Sequence, residues 1–552
     1  MKNLFPALLA FCLVASCGDK GSKKEEQQDE NPKRPNIVFI ISDDHAYQAI
    51  SAYGGRLAQV APTPNIDRIA EDGMLFENCL VTNSICGPSR AAILTGKYSH
   101  LNGFIDNTIG SKFDFDQQTF GELLQQAGYK TGVLGKLHLG DTPSKGFDYV
   151  DILPGQGSYY NPTFINKEGQ YELEGYTTEI ITEKAIQWMD SVKSEEQPFM
   201  LFLGHKSPHR PWQPGPNELG LYENVEIPEP ETLFDDYSGN RDIAGMNYMS
   251  ISEAMKIEQD LKITDGPQAG FTKEQQQKWD SIYRPINEKF KKENPKGDDL
   301  IRFKYQRYMK DYLASVAGVD KGVGKVLDYL VKVGLDKNTI VIYTSDQGFY
   351  LGEHGWFDKR WMYKESLKTP LLVKWPEKVA PGTINKDLVS NLDFAETFLD
   401  IAQTEIPRDM QGKSLVPILK GKTPKDWRNA HYYHYYEHPS EHDVRRHYGI
   451  TTDRYKLIHF YYDLDVWELY DLKKDPNEMN NIYGDPAYAD IQEKLHKDLD
   501  GLRLTYGDND SLSQKFIDEY HEKVKENPLI EYWKLSPDEM KRLYQEYLKT
   551  QN

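Results

Sequence analysis

Cysteine is scarce, with four in 552 residues. Cys12 and Cys17 sit at the extreme N-terminus, which leaves only Cys79 and Cys86 for a folded body. A single disulfide between them is the plain reading for an exported chain. Against it, Pro88 and the apolar run behind it place Cys86 at a helix start, where a sulfur has chemical uses. Basic residues are also few: 66 Lys and Arg face 85 Asp and Glu, a net charge of −19. That balance argues against nucleic acid as the main partner. It also disfavours long-range steering of a polyanion, so an anion site has to be a local basic pocket. Beyond the N-terminus there is no apolar run of membrane-spanning length, and no fixed-period repeat. Disorder is excluded for most of the chain, because 39% of residues are hydrophobic and 12% aromatic, enough for a sizeable core.

The first residues read as an export signal: Lys2, then an apolar run from Leu4 to Val14 that is too short to cross a bilayer. Val14-Ala15-Ser16-Cys17 resembles a bacterial lipobox, in which the cysteine is lipidated and becomes the mature N-terminus. The alternative is an ordinary secretory signal with an incidental cysteine. Gly18 to Pro35 is rich in Lys, Glu, Gln, Asp and Asn and cannot pack, so it would hold a folded body off a membrane. The expected location is the cell envelope, at the outer membrane on its periplasmic or surface face, with Cys17 carrying the lipid as the one membrane contact.

Asn36-Ile-Val-Phe-Ile-Ile-Ser42 is a continuous apolar run, which suits a strand buried on both faces, and it ends in Asp43-Asp44-His45. Thr339 to Ser345 repeats the pattern and ends in Asp346-Gln347-Gly348. Phe199 to Leu203 ends near His205-Lys206-Ser207-Pro208-His209, and Tyr129 to Leu134 ends in Gly135-Lys136-Leu137-His138. Four strands thus end in polar residues, where open α/β sheets place their ligands. Helical patterns lie between them, at Pro64 to Asp72, Thr119 to Ala127, Thr178 to Val192 and Tyr308 to Val333. The alternation predicts an α/β sandwich with a mostly parallel sheet between helices. After about residue 425 the texture changes. Tyr455 to Tyr462 and Trp467 to Leu472 read as paired strands with a turn at Asp463 to Asp465, and helical segments follow. The expected organisation is a signal over 1–16, a tether over 17–35, a catalytic domain over 36–425 with an insertion over 213–300, and a C-terminal subdomain over 426–552. That subdomain would be built on an antiparallel sheet and end in a helical tail.

Asp43, Asp44, Asp346 and Gln347 come from two distant strand ends. An oxygen-only set of this kind suits a hard divalent cation, Ca²⁺ or Mg²⁺, where zinc would want more nitrogen or sulfur. Six motifs then occur in a fixed order: Asp43-Asp44; Cys86-Gly87-Pro88-Ser89-Arg90; Gly135-Lys136-Leu137-His138; Ser207-Pro208-His209-Arg210-Pro211; Ser345-Asp346-Gln347-Gly348; and Lys359 ahead of Tyr363. In this order the chain resembles the type I sulfatases. The resemblance runs from about residue 36 to 484 and includes Leu469-Tyr470-Asp471-Leu472 and Asp475-Pro476-Asn477-Glu478. Any one motif alone would be weak.

The resemblance implies an alkaline-phosphatase-like fold and a set of roles. Cys86 would be oxidised to formylglycine (3-oxoalanine) by a formylglycine-generating or sulfatase-maturating enzyme. Its hydrate is a geminal diol: one hydroxyl coordinates Ca²⁺ and attacks sulfur, and the second loses its proton to expel sulfate. Asp43, Asp44, Asp346 and Gln347, with Cys86, would hold the cation; Gln347 stands where many relatives have asparagine. Arg90 would stabilise the hydrate, and Lys136 and Lys359 would bind sulfate oxygens as point charges. His138 would take the proton of the second hydroxyl, and His209 would protonate the leaving oxygen.

Asn83-Ser84-Ile85 and Lys97 to Gly103 are most similar to bacterial carbohydrate sulfatases, in particular the N-acetylglucosamine-6-sulfatase-like group. The substrate implied is a sulfated polysaccharide or its oligosaccharides, either algal, such as ulvan or carrageenan, or a glycosaminoglycan. Trp212 and Trp361 adjoin catalytic motifs and are expected to line the pocket. The segment His431 to His447 holds five histidines, and Arg445 and His447 in it suit a uronate or a second sulfate; the competing reading is a subdomain core with a solvated rim. Two other functions stay open: a phosphodiesterase or phosphonate monoester hydrolase of the same superfamily, and a glycan-binding lipoprotein without catalysis.

Overall fold

The run at Asn36–Ser42 forms strand β1 with all seven residues buried, as an unbroken apolar run requires when helices cover both sides. The computed structural model describes residues 34–536 apart from Glu195, together with Glu539, Arg542 and Leu543. The expected signal, the lipidation point Cys17 and the tether as far as Lys33 lie outside the described residues. After β1, the elements that position the site are α1 (Cys86–Thr95), β2 (Lys130–Lys136), α2 (Thr177–Val192), β3 (Phe199–His205), α3 (Gly297–Lys332), β4 (Thr339–Ser345) and α4 (Asp393–Ile401).

The four strands are parallel and run β4-β1-β3-β2 through the middle of a ten-stranded sheet. Tyr149–Leu153 continues it in parallel beyond β2 and two antiparallel strands finish that side, while on the other side the antiparallel Leu371–Lys374 follows β4 and the parallel pair Met74–Phe76 and Thr383–Asn385 closes the sheet. Side chains of β1 alternate between two cores. Ile37, Phe39 and Ile41 meet Ala91 and Leu94 of α1 and Phe394 and Phe398 of α4. Val38 and Ile40 meet Ile181 and Ala185 of α2 and Val319 and Val323 of α3. Each such side chain contributes about 1.5–3 kcal/mol by leaving water, so the sheet is fixed from both faces and its strand ends can carry polar groups without loosening. This is the expected α/β sandwich.

Register decides where those polar groups meet. Ser42 stands level with both His205 and Ser345, and Gly135 pairs with Gly204, so four strands finish side by side at one sheet edge. β2 and β3 approach unusually closely there. A Cβ on Gly135, where φ is +86°, would collide with the carbonyl oxygen of Gly204, and a Cβ on Gly204 with the carbonyl oxygen of Lys136. Neither contact can be relieved by a side-chain rotation, because both partners are backbone. Gly204→Ala is therefore expected to destabilise the protein by about 3 kcal/mol, read as a lower urea midpoint, and to lower activity by displacing Lys136.

The C-terminal part forms a separate four-stranded antiparallel sheet, β5 (Ala430–Tyr435), β6 (His447–Thr452), β7 (Tyr455–Phe460) and β8 (Val466–Asp471). One face packs on Trp356, Trp361 and Tyr363, and the other on Leu495 and Leu499 of helix α5 (Ala489–Tyr506). Cys79 and Cys86 are both buried free thiols. The helix-start reading of Cys86 holds over the disulfide: Cys79 belongs to a short strand and Cys86 is the first residue of α1.

Candidate active site

Asp43 and Asp44 leave β1, and Asp44 turns the chain with φ 63°. Asp346 and Gln347 leave β4, Lys136 closes β2, and His138 follows it in the left-handed region at φ 58°. The N-terminal turn of α1 brings Cys86 into the middle of this group. Its Sγ lies 3.2 Å from His138 Nδ1 and accepts from Asn107 Nδ2 at 3.1 Å. Gly87 is needed beside it, since a Cβ there would meet Asn107 Oδ1 at 2.4 Å and Phe104 at 2.5 Å.

Arg90 ties the parts together. Its Nε donates to Asp346 Oδ2 at 2.9 Å, one terminal nitrogen donates to the Lys136 carbonyl at 2.7 Å, and the other is 3.9 Å from Asp43 Oδ1. Lys136 Nζ donates to Asp43 and to the side chain of Gln156. Lys359 Nζ and Gln347 Nε2 both donate to Asp44 Oδ1 at 2.5 Å. His209 donates from Nδ1 to the Arg210 carbonyl at 2.7 Å, which leaves Nε2 facing Asp44 Oδ2 at 3.8 Å.

Three buried oxygens, Asp43 Oδ1, Asp44 Oδ2 and Gln347 Oε1, have no hydrogen-bond partner among the described residues. Asp43, Asp44 and His209 can offer ligand atoms within 4.8 Å of one another. An unsatisfied buried acceptor costs about 1–3 kcal/mol, and a hard divalent cation is the group that satisfies carboxylate and amide oxygens together. The residues fit such an ion, and His209 Nε2 stands beside its carboxylates, 3.8 Å from Asp44 Oδ2. Charge makes the same point. Burial, with Asp43 and Asp346 nearby, pushes the Asp44 carboxyl up to about 7 despite Lys359. Burial and Asp43 push Asp346 up to about 6 despite Arg90. Asp43 is held well below the usual range, because nearby cations, Lys136 above all and also Arg90, outweigh its burial. The carboxylates are crowded, so two of the three are pushed up by one another as well as by burial. Both imidazoles are pushed well below their ordinary value by burial and then by Lys136, so each is neutral at neutral pH.

Every residue expected to act on sulfate or metal is in this cluster: Cys86, Arg90, Lys136, His138, His209, Lys359, Asp43, Asp44, Asp346 and Gln347. Cys86 opens into a cleft of about 240 Å³. The four residues expected to line it for the sugar do not, and they are corrected here. Trp212 is wholly buried, 4.4 Å from the Tyr308 ring and against Phe357. Trp361 stacks on Trp356 at 5.2 Å under the C-terminal sheet. His447 is fully buried between Trp361 and Tyr433, and Arg445 is engaged by Asp443 at 2.6 Å and Asp463 at 2.9 Å. The cleft is lined instead by Asn107, Gln156, Arg210, Asp358, Arg360, Glu437, His442 and others. Apart from His442, which stands in the histidine-rich segment, sequence reasoning missed these. Arg360 was signalled only by following Lys359. Lys206, buried beside Gln156 and pushed down to about 7 by burial and Lys136, was signalled by standing three residues before His209.

Residues 35–404 match the family model described as Sulfatase, and residues 352–505 match N-sulphoglucosamine sulphohydrolase, C-terminal. The chain belongs to the sulfatase family. It is a sulfuric ester hydrolase on the alkaline-phosphatase-like fold, in a family that uses formylglycine and a divalent cation. The enzyme is 49% identical over 521 residues to the N-acetylglucosamine-6-O-sulfatase of Bacteroides thetaiotaomicron, covering 91% of each chain. It is 28% identical to the Homo sapiens N-acetylglucosamine-6-sulfatase over 77% of this chain and 70% of that one. The solved structure of BT4656 in complex with its substrate D-glucosamine-2-N,6-O-disulfate matches with a TM-score of 0.84 at 49% identity, over 87% of this chain and 99% of that one.

Proposed function

We propose that the enzyme removes 6-O-sulfate from N-acetylglucosamine or related glucosamine units of a sulfated glycan or its oligosaccharides. The observation that carries this is the 49% identity to an N-acetylglucosamine-6-O-sulfatase across 91% of both chains, on top of a site built to hold one anion. Lys136 and Lys359 flank the Cys86 position and bind sulfate oxygens as point charges. Oxidised to formylglycine, Cys86 supplies a geminal diol, one hydroxyl for attack on sulfur and a second that lets sulfate leave. A calcium ion held by Asp43, Asp44, Asp346 and Gln347 would polarise the sulfate and ease loss of the nucleophile's proton. His138, 3.2 Å from the Cys86 side chain and neutral, accepts a proton there. His209 is fixed by its Nδ1 donation so that Nε2 faces the site as an acceptor, and the proton for the leaving oxygen comes from the Lys359 ammonium, which Asp44 keeps charged, with His209 Nε2 placed to orient the exchange. Arg90 positions Asp346 and the Lys136 backbone.

The same reading includes maturation by a formylglycine-generating or sulfatase-maturating enzyme, and export as a lipoprotein through Cys17. Its support is the motif around Cys86 and the sequence of residues 2–17. Sulfate release from a panel of defined sulfated sugars is the test. Turnover is expected on N-acetylglucosamine-6-sulfate and to be much slower on 3- or 4-sulfated isomers. Preference for another position overturns the substrate reading, and faster turnover of an aryl phosphate than of the matching aryl sulfate overturns the sulfate chemistry.

A further inference from the structure

Helix α6 (Asp510–Glu526) and the turn after it, Pro528–Lys534, lie beyond residue 505, where the second family match ends. They nevertheless return to the active site: Ile530, Tyr532 and Trp533 line the same cleft as Cys86 and Lys359. The return is held at several points. Asn509 caps α6 through the Leu512 N–H at 2.9 Å, and Asn527 caps the following turn through the Leu529 N–H at 3.2 Å. Phe516 packs edge-on against Tyr436 at 5.7 Å and joins Ile105 in a small buried cluster. The Tyr520 hydroxyl donates to the Pro439 carbonyl at 3.2 Å, and the Tyr532 hydroxyl donates to Glu441. Leu529 and Ile530 are buried. Such anchoring fixes the aromatic pair, whose rings are 5.6 Å apart, instead of leaving it to sample solvent.

The cleft therefore has two chemically different parts. Around Cys86 it is built for one anion. At the tail it is aromatic, and the neighbouring charges are already engaged. Arg210 makes two bonds to Asp260, at 2.6 and 2.8 Å, and Arg360 is held by Asp358 with Glu437 3.6 Å away. Glu441 adds a further carboxylate. Among the described residues lining this part of the cleft, both arginines thus face carboxylates, which disfavours a second sulfate or a uronate there. A half-buried aromatic surface beside hydrogen-bonding carboxylates suits the C–H face and hydroxyls of an uncharged pyranose.

We propose that Pro528–Lys534 is a specificity element, with Trp533, beside Tyr532 fixed by Glu441, forming an outer subsite for a neutral sugar ring linked to the sulfated one. This rests on the glucosamine-6-sulfate reading above. Three probes test it: N-acetylglucosamine-6-sulfate alone, and the same unit linked at the non-reducing end to galactose or to glucuronate. The native enzyme is expected to have a higher kcat/KM on the galactose-linked probe than on the glucuronate-linked one. In Trp533→Ala, the ratio of kcat/KM for the galactose-linked probe to that for the monosaccharide is expected to fall about fivefold, chiefly through KM, and Trp533→Phe is expected to restore most of it. An unchanged ratio in Trp533→Ala, or a native preference for glucuronate, overturns the subsite while leaving the substrate reading intact. Failure of the native enzyme on all three probes overturns the substrate reading, and the subsite with it.

Discussion

Replacing Cys86 by alanine abolishes sulfate release, with an expected loss of at least about 10⁴-fold in kcat, while the fold survives. Loss of activity follows from what surrounds the residue. Two lysines, two histidines and the carboxylate cluster converge on the Cys86 position, and no other nucleophile in the cluster occupies it. Survival of the fold follows from its place on the first turn of α1. Its side chain makes two polar contacts, with His138 and Asn107, and anchors no hydrophobic cluster, so truncation costs about 1 kcal/mol. An unmodified thiol would serve poorly here. Burial raises its pKa, although Lys359 and Lys136 oppose the rise, and it is the thiolate that attacks. Mass spectrometry of the peptide spanning Cys86 separates the two states, since conversion to formylglycine removes roughly 18 Da, unlike the mass gains of ordinary thiol oxidation. A native thiol in protein from its own host would sink the catalytic role given to Cys86.

The parts of the site that were legible in the sequence are those fixed by the sheet. A short unbroken apolar run such as Asn36–Ser42, closed by polar residues, suits a doubly covered strand, and parallel strands of that kind end together on one side of the sheet. Asp43, Asp44, Lys136, Asp346 and Gln347 were placed together for that reason. The sugar-facing wall follows no such rule. Its residues come from the loops at 106–109 and 358–360, from the stretch between β5 and β6, and from the far tail, and no periodicity joins them. Trp212 and Trp361 show the converse error, in which nearness in sequence was read as nearness in space. Arg360 adopts φ 88°, so the chain turns between Lys359, which enters the cluster, and Trp361, which goes into the core. Trp212, at φ 52°, likewise turns away from His209 into packing against Tyr308. The histidine-rich segment was half legible: His442 lines the cleft, whereas His431 and His447 are core.

Calcium is expected to stabilise the native enzyme and to leave Asp43→Asn almost unaffected. At a hundred times its Kd a ligand specific for the folded state adds about 2.7 kcal/mol, read as a rise in the urea midpoint or the melting temperature. Asp43 is the decisive position because it carries the most negative charge in the cluster, held well below the usual carboxylate range by nearby cations, Lys136 above all, against its burial. Asparagine keeps its shape and one acceptor, but it removes the charge that a hard cation needs and leaves Lys136 without its counter-ion. The variant is thus expected to lose about 10³-fold or more in kcat and to be less stable before any ion is added, since breaking a buried pair costs about 3–5 kcal/mol. These two consequences of one substitution are separable. The loss of stability is a constant offset, whereas the loss of ion binding is a flat response to added calcium. Gln347→Ala gives the intermediate case: it deletes one unpartnered oxygen and a donor to Asp44 while keeping all three carboxylates. Its calcium response should shift to higher concentration and keep its full height. If native protein and Asp43→Asn gained equal stability from calcium, the three unpartnered oxygens would not be the ion's ligands.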